Sequence, residues 1–308
     1  METIKNVGSW LMNNEDSITK NWNWDETQRN RPPVINFFKT NSVIPFVYIC
    51  DLWDEKEIAT VDNLKYKKKW KYVSGDSEKL YLNNLETRPQ DWYYRNNEVT
   101  YTVNSHGYRT KEFDDIDWKD SIVMFGCSNT FCTAVDDNHT ISYFLEKLTG
   151  RPVINMGIPG SNVFTTYYTS LSIKTKFPTP YAVLMNFTSL DRFSIIGEYM
   201  ISLYGSWNMH LCPEINLSEK SSIKHDTVLR NILYAKMIEE MWERKCKYYQ
   251  YTPFPDTRDI LSTSQKIDYI NYYGRIDWAR DFNHIGPKGN LAMAKTLAVK
   301  LQNMNEPN

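Results

Sequence analysis

Three short stretches of this chain carry side chains suited to acyl transfer: "FGCSNTFC" (residues 125–132), "INMGIPGSN" (154–162) and "DFNHIGPKG" (281–289). A serine hydroxyl becomes a nucleophile when a base takes its proton, and an imidazole, which ionises near 6.5, is the usual base. The imidazole in turn needs a group that fixes its tautomer, and the oxyanion that develops on the attacked carbonyl needs preorganised donors. Ser128, His284 and Asp281 fill the first three roles. Asp281 lies three residues before His284, a spacing that lets a carboxylate orient an imidazole within one tight turn. The backbone N–H groups of Ser128 and Gly160 are candidate oxyanion donors, because a glycine lets the main chain approach a substrate with no side chain in the way.

Two rivals compete for the nucleophile. "SGDS" (74–77) spells a better-known nucleophile sequence around Ser77, but "KYV" before it is a short strand, no helix pattern is read after it, and Gly160 lies far downstream. Cys127 is a thiol beside Ser128, but adjacent side chains at a turn point in different directions. Among the other histidines, His106, His139, His210 and His225 have no comparable neighbours in sequence.

The elements around these groups alternate strand and helix from about residue 120, which implies a parallel sheet with helices on its faces. "SIVMFG" is a continuous apolar run suited to a central parallel strand. "DDNHTISYFLEKLTG" then offers Asp and Asn as helix caps, with Ile141, Phe144, Leu145 and Leu148 on one face and Gly150 as the stop. "PVINMG" and "YAVLMNF" read as the next strands, with a helix between them. A helix over about 227–245, a strand over 247–254 and a last helix over about 287–303 complete the pattern. Ligands of an open parallel sheet bind outside the carboxyl ends of its strands, where Ser128, Gly160, the segment after Phe187 and the Asp281–His284 loop all fall. Residues 1–100 read instead as an accessory segment of short strands and turns, rich in Trp. Those aromatics either fill a small irregular core or stack on sugar rings.

The 308 residues fit a catalytic domain plus an accessory segment. With 36 basic and 37 acidic residues the chain has no excess positive charge for gripping nucleic acid or an anionic membrane. The N-terminus has no basic segment followed by an apolar core, and no run of about 18 apolar residues occurs. A cytoplasmic location is therefore expected, or a virion if the source is viral. The five cysteines include no C-x-x-C pair, so reduced thiols are expected rather than disulfides or a zinc site.

Taken in order, the three stretches resemble the blocks of the SGNH or GDSL-type serine hydrolases, over roughly residues 100–300. "VNSHGYRTKEF" (103–113) is similar to a lead-in found ahead of the first block. The resemblance implies a three-layer α/β/α, flavodoxin-like fold with a parallel central sheet over residues 101–308, with an insertion around 195–225. It further implies cofactor-free and metal-free hydrolysis of a small acyl ester by Ser128, His284 and Asp281, with an O-acetyl group on a glycan as the expected substrate. Two positions depart from the family's pattern. Cys127 stands where an Asp usually precedes the serine, and "TSLDR" (188–192) lacks the asparagine whose amide completes the oxyanion hole. Thr188, Ser189 and Asn186 are the candidate replacements. Strand alternation turns Asn186 away, which leaves the hydroxyl of Ser189 or Thr188. Two other readings stay open: an O-acyltransferase on the same scaffold, and a non-catalytic structural or glycan-binding protein that keeps the fold.

Overall fold

The computed structural model describes residues 37–39, 46–48, 69–73, 75–196, 199–203, 217–271 and 276–304. In chain order the elements are strands β1 (Phe37–Lys39), β2 (Phe46–Tyr48) and β3 (Lys69–Trp70), helix α1 (Glu78–Thr87), strands β4 (Tyr101–Thr102) and β5 (Ile122–Gly126), and helices α2 (Ser128–Phe131) and α3 (Ile141–Thr149). There follow β6 (Val153–Gly157), α4 (Val163–Lys176), β7 (Ala182–Asn186), β8 (Phe193–Ile196), β9 (Tyr199–Leu203) and α5 (Leu217–Trp242). The chain closes with β10 (Lys247–Thr252), α6 (Pro255–Leu261), β11 (Asp268–Tyr269) and α7 (Pro287–Gln302).

The central sheet has five parallel strands in the order β11-β10-β7-β5-β6. Numbered within the sheet this is the flavodoxin-like order 2-1-3-4-5, whose switch point, the place where ligands bind in such sheets, lies between β5 and β7. Strand alternation divides the core into two layers. Val123, Phe125, Val183 and Met185 face one side, with Val163 and Ile173 of α4 and Ala235, Ile238 and Trp242 of α5. Ile122, Met124, Ala182 and Leu184 face the other, with Leu145 of α3 and Met293, Leu297 and Leu301 of α7. Every residue of β5, β6 and β7 is buried, so both faces are covered and the sheet is the middle of three layers.

The sequence expectations for α3, β6, β7, β10 and α7 match these elements. One detail of α3 differs: its N-cap is Thr140, whose hydroxyl accepts from the Tyr143 N–H at 3.1 Å. Asp137 pairs with Arg109 instead, and Asp136 accepts from the Thr100 N–H. The expected absence of a helix after Ser77 is corrected by α1, for which Ser77 itself is the cap. That helix escaped the sequence reading because it has no apolar stripe: only Asn84 in it is buried, while Leu82 is exposed.

Residues before 101 also contribute to the same core, where Val73, Tyr94 and Val99 pack with Val123. A second, antiparallel sheet in the order β2-β1-β9-β8 joins the first described strands to the start of the segment expected as an insertion. The rest of that insertion as far as 216, and most of the first 68 residues, lie outside the described residues. Among the described residues no helix is long and apolar enough to cross a membrane.

Candidate active site

Ser128 stands at the first position of α2, directly beyond the carboxyl end of β5. Two glycines let the turn close tightly. A Cβ on Gly126 would stand 2.2 Å from Thr130 Oγ1, and one on Gly157 would stand 2.3 Å from the Phe131 N atom, so any side chain at either position would displace α2. Asn155 fastens the same helix to β6: its amide donates to the Thr130 carbonyl at 2.8 Å while its oxygen accepts from the Gly157 N–H at 2.9 Å.

Buried Arg109 holds the far end of this turn. Its guanidinium donates to the carbonyls of Phe131, Cys132 and Val135, at 3.2, 2.7 and 2.7 Å, and to the carboxylate of Asp137 at 2.8 Å. The Phe131 and Cys132 carbonyls end a four-residue helix whose C-cap, Cys132, has a φ of 61°, so the arginine takes up acceptors that would otherwise be buried unsatisfied. Sequence reasoning quoted Arg109 only as part of a lead-in. A lone Arg after an aromatic carries no signal of the carbonyls it will meet.

The partner groups arrive from the loop before α7. Asp281 is 2% exposed, and its Oδ1 accepts from the N–H groups of Asn283 and His284 at 3.0 and 3.1 Å. Its Oδ2 lies 2.5 Å from His284 Nδ1. With Nδ1 donating to that carboxylate, Nε2 is left to accept, and the Ser128 hydroxyl lies 2.8 Å from it. Residues 156 positions apart thus form one hydrogen-bonded chain of hydroxyl, imidazole and carboxylate.

The loop carrying Gly160 is tied to the serine turn at one atom. The Gly126 carbonyl accepts both the Ile158 N–H at 3.0 Å and the Ser161 hydroxyl at 3.1 Å. Gly160 has a φ of 73°, a left-handed conformation that suits glycine. As the first residue of α2, Ser128 has an N–H with no intrahelical acceptor.

The three candidates for a further oxyanion donor have different surroundings. Asn186 ends β7 beneath the serine turn and its amide donates to Thr130 Oγ1 at 3.2 Å. The Ser189 hydroxyl donates to Asp191 Oδ1 at 2.5 Å. Thr188 Oγ1 has no hydrogen-bond partner but is sealed from solvent, so an oxygen the size of water has no room beside it. Ser189 is thus bonded to Asp191 and Thr188 Oγ1 is closed to a ligand, and the backbone N–H groups of Ser128 and Gly160 remain candidate donors. At 190, where the family's asparagine is expected to fall, Leu190 is 3% exposed and packs in the core, its carbonyl held by Asn231 of α5 at 2.7 Å.

The rival nucleophiles are occupied. Ser77 Oγ accepts from the Leu80 N–H at 3.2 Å as the cap of α1. Cys127 is buried with its sulfur toward the Asn129 amide, and burial pushes the Cys132 thiol up to about 11. His106 packs on Phe113, and its pKa is lowered by burial and by Lys176. His139 packs on Tyr93 and Phe144, and His210 lies outside the described residues.

No protein-family profile matches this sequence, and no curated protein matches it. Similar solved structures include a carbohydrate esterase family 2 enzyme with a carbohydrate-binding domain from Corynascus thermopiles (Myceliophthora fergusii). It shares 11% identity at a TM-score of 0.37, over 59% of this chain and 65% of that one, less than two thirds of its length. A lipolytic protein of the G-D-S-L family from Veillonella parvula shares 15% identity at a TM-score of 0.37, over 60% of this chain and 99% of that one. A carbohydrate acetylesterase family member from Sinorhizobium meliloti shares 10% at 0.38, over 59% and 97%.

Proposed function

We propose that this chain is a serine esterase of the SGNH type that removes a small acyl group, with an O-acetyl ester on a carbohydrate as the substrate class. The observation that carries this reading is the hydrogen-bonded chain from Ser128 through His284 to Asp281 at 2.8 and 2.5 Å. In the reaction, Ser128 Oγ attacks the ester carbonyl while His284 Nε2 takes its proton, and the carbonyl oxygen becomes an oxyanion beside the N–H groups of Ser128 and Gly160. The intermediate collapses to an acyl-serine. The departing alkoxide takes the proton from Nε2 and leaves as the free hydroxyl of the sugar. A water molecule then repeats the attack with His284 as base, releasing the acid and restoring Ser128. Asp281 keeps Nδ1 protonated throughout and stabilises the imidazolium. The acetyl-sugar assignment follows from the motif resemblance.

A second reading is favoured by one observation: neither Thr188 nor Ser189 presents its hydroxyl at the site, and Asn186 turns its amide to Thr130. Losing one oxyanion donor costs about 10²–10³ in kcat, so a slow enzyme or a non-catalytic binding protein follows if nothing replaces it. Hydrolysis of p-nitrophenyl acetate by the purified protein and by Ser128→Ala separates these outcomes. Turnover that disappears with Ser128→Ala supports the esterase, and equal background rates overturn it. Addition of an alcohol acceptor, with product analysis, separates hydrolysis from acyl transfer.

A further inference from the structure

We propose that Arg88 and Trp92 are positioning residues for the Asp281–His284 pair, holding the turn between them through the ring of Phe282. The inference rests on the reading of Ser128, His284 and Asp281 as an esterase triad, and it assigns a role in that site to the segment that precedes the hydrolase blocks.

Phe282 lies between the two functional residues with a φ of 57°. This left-handed conformation is disfavoured for a residue with a Cβ, and Phe has no polar side chain to support it locally. The turn needs it nonetheless. Asp281 Oδ1 receives the N–H groups of both Asn283 and His284 because the chain doubles back at 282, where the Phe282 N–H also donates to the Ala279 carbonyl at 3.1 Å. Relaxing Phe282 to a right-handed or extended conformation swings these two N–H groups off the carboxylate, and Oδ2 then loses its alignment on His284 Nδ1.

Something outside the turn must over-determine that conformation, and the ring shows what does. The guanidinium of Arg88 lies over the Phe282 face with Cζ 3.4 Å from the ring centroid, and the Trp92 ring is 5.9 Å away at 44°. Arg88 Nε is buried with no hydrogen-bond partner, which fits a guanidinium committed to the ring face. The Arg88 backbone is itself fixed. Its N–H caps α1 by donating to the Asn84 carbonyl at 2.9 Å, and its carbonyl accepts from Arg95, which also donates to the carbonyls of Leu85 and Pro89. Arg88 and Trp92 touch no reacting atom. They act through Phe282.

The test pairs kinetics with a readout that needs no substrate: the downfield proton resonance of His284 Nδ1–H shared with Asp281. Arg88→Ala is expected to lower kcat between about 10- and 100-fold with KM changed by less than about threefold, and to shift or broaden that resonance. Arg88→Lys, which keeps a cation over the ring, recovers part of the loss. In a Phe282→Gly background the conformation needs no support, so adding Arg88→Ala changes neither readout further. Phe282→Asn, a residue that tolerates the left-handed region, serves the same comparison should the glycine variant fail to fold.

An Arg88→Ala protein with normal kcat and an unmoved resonance overturns the proposal. So does an Arg88→Ala loss of the same size in the Phe282→Gly background, which would mark a general effect on α1. If the parent protein turns over no ester, the resonance alone decides: a shift with Arg88→Ala upholds the positioning role while the esterase reading falls, and no shift overturns the positioning role.

Discussion

Asp76 and Arg280, 204 positions apart, form a buried ion pair with Nη2 2.6 Å from Oδ2, and Arg280 is the residue immediately before Asp281. The Tyr101 hydroxyl donates to the same carboxylate and accepts from the Ala134 N–H at 2.8 Å. The Arg280 N–H donates to the Ala134 carbonyl at 2.9 Å, and the Asn84 amide donates to the Arg280 carbonyl at 2.9 Å. The serine side of the site, through Ala134, and the histidine side, through Arg280, are therefore tied to one buried carboxylate. That carboxylate belongs to the "SGDS" stretch which resembled a nucleophile motif.

Removing one partner of a buried pair costs more than removing both, so Arg280→Met is expected to lose about 3–5 kcal/mol and the Asp76→Asn/Arg280→Met double variant to recover part of it. Burial pushes the Asp76 carboxyl above its ordinary range, against the pull of Arg280 and of the Tyr101 hydrogen bond. A raised folded value means the group's contribution is present below its unfolded pKa and is lost as pH rises through the folded one. The Arg280→Met deficit therefore grows as pH rises through the raised pKa of Asp76. Urea unfolding of both variants and the parent across the acid-to-neutral range checks this.

A fluorophosphonate probe is expected to label Ser128 and to leave Ser77 and Cys127 unmodified. Of these three, Ser128 alone has an imidazole nitrogen within hydrogen-bonding distance, whereas the Ser77 oxygen caps α1. Peptide mass mapping reads the site directly, and a label on Ser77 overturns the assignment.

The parallel strands were legible because β5 and β7 are buried on both faces and so read as unbroken apolar runs. Helices α3 and α7 were legible because each buries one stripe. Legibility ended where tertiary contacts decide. Helix α1 buries only Asn84, which is polar, and so left no periodic signal. The contact of Asp281 with His284 was visible in advance because the two interact within one turn. The support from Arg109, Asp76 and Arg280 was not, since each acts on backbone or charge from a distant part of the chain. The bond from Ser189 to Asp191 and the sealing of Thr188 Oγ1 were not legible, since both depend on how the segment after β7 folds.

Asp281→Asn is expected to reduce kcat by up to about 10⁴-fold with the fold intact, because the amide no longer holds His284 in the tautomer that accepts from Ser128. Steady-state kinetics of the variant, with circular dichroism to check the fold, test this. An Asp281→Asn enzyme of near-normal activity removes the pair from the mechanism.

The oxyanion hole gives the sharpest contrast between side chains and backbone. Ser189→Ala removes a hydroxyl already given to Asp191, so kcat is expected to stay within a few-fold of the parent. Thr188→Val replaces a sealed, unpartnered hydroxyl by a methyl of similar size, which leaves kcat unchanged and is neutral or slightly stabilising, since no hydrogen bond is lost. Gly160→Ala is expected to be damaging. A residue with a Cβ at a φ of 73° is strained by about 1–2 kcal/mol, and relief of that strain turns the 160 N–H away from the position proposed for the oxyanion. Since one such donor is worth about 10²–10³ in kcat, the Gly160→Ala loss should exceed that of Ser189→Ala and Thr188→Val together. Measured kcat values for the three variants, each with a thermal melt, decide the matter. A loss of two orders of magnitude in Thr188→Val would show that the loop opens during turnover and that the hydroxyl replaces the missing asparagine, and full activity in Gly160→Ala would remove that N–H from the hole.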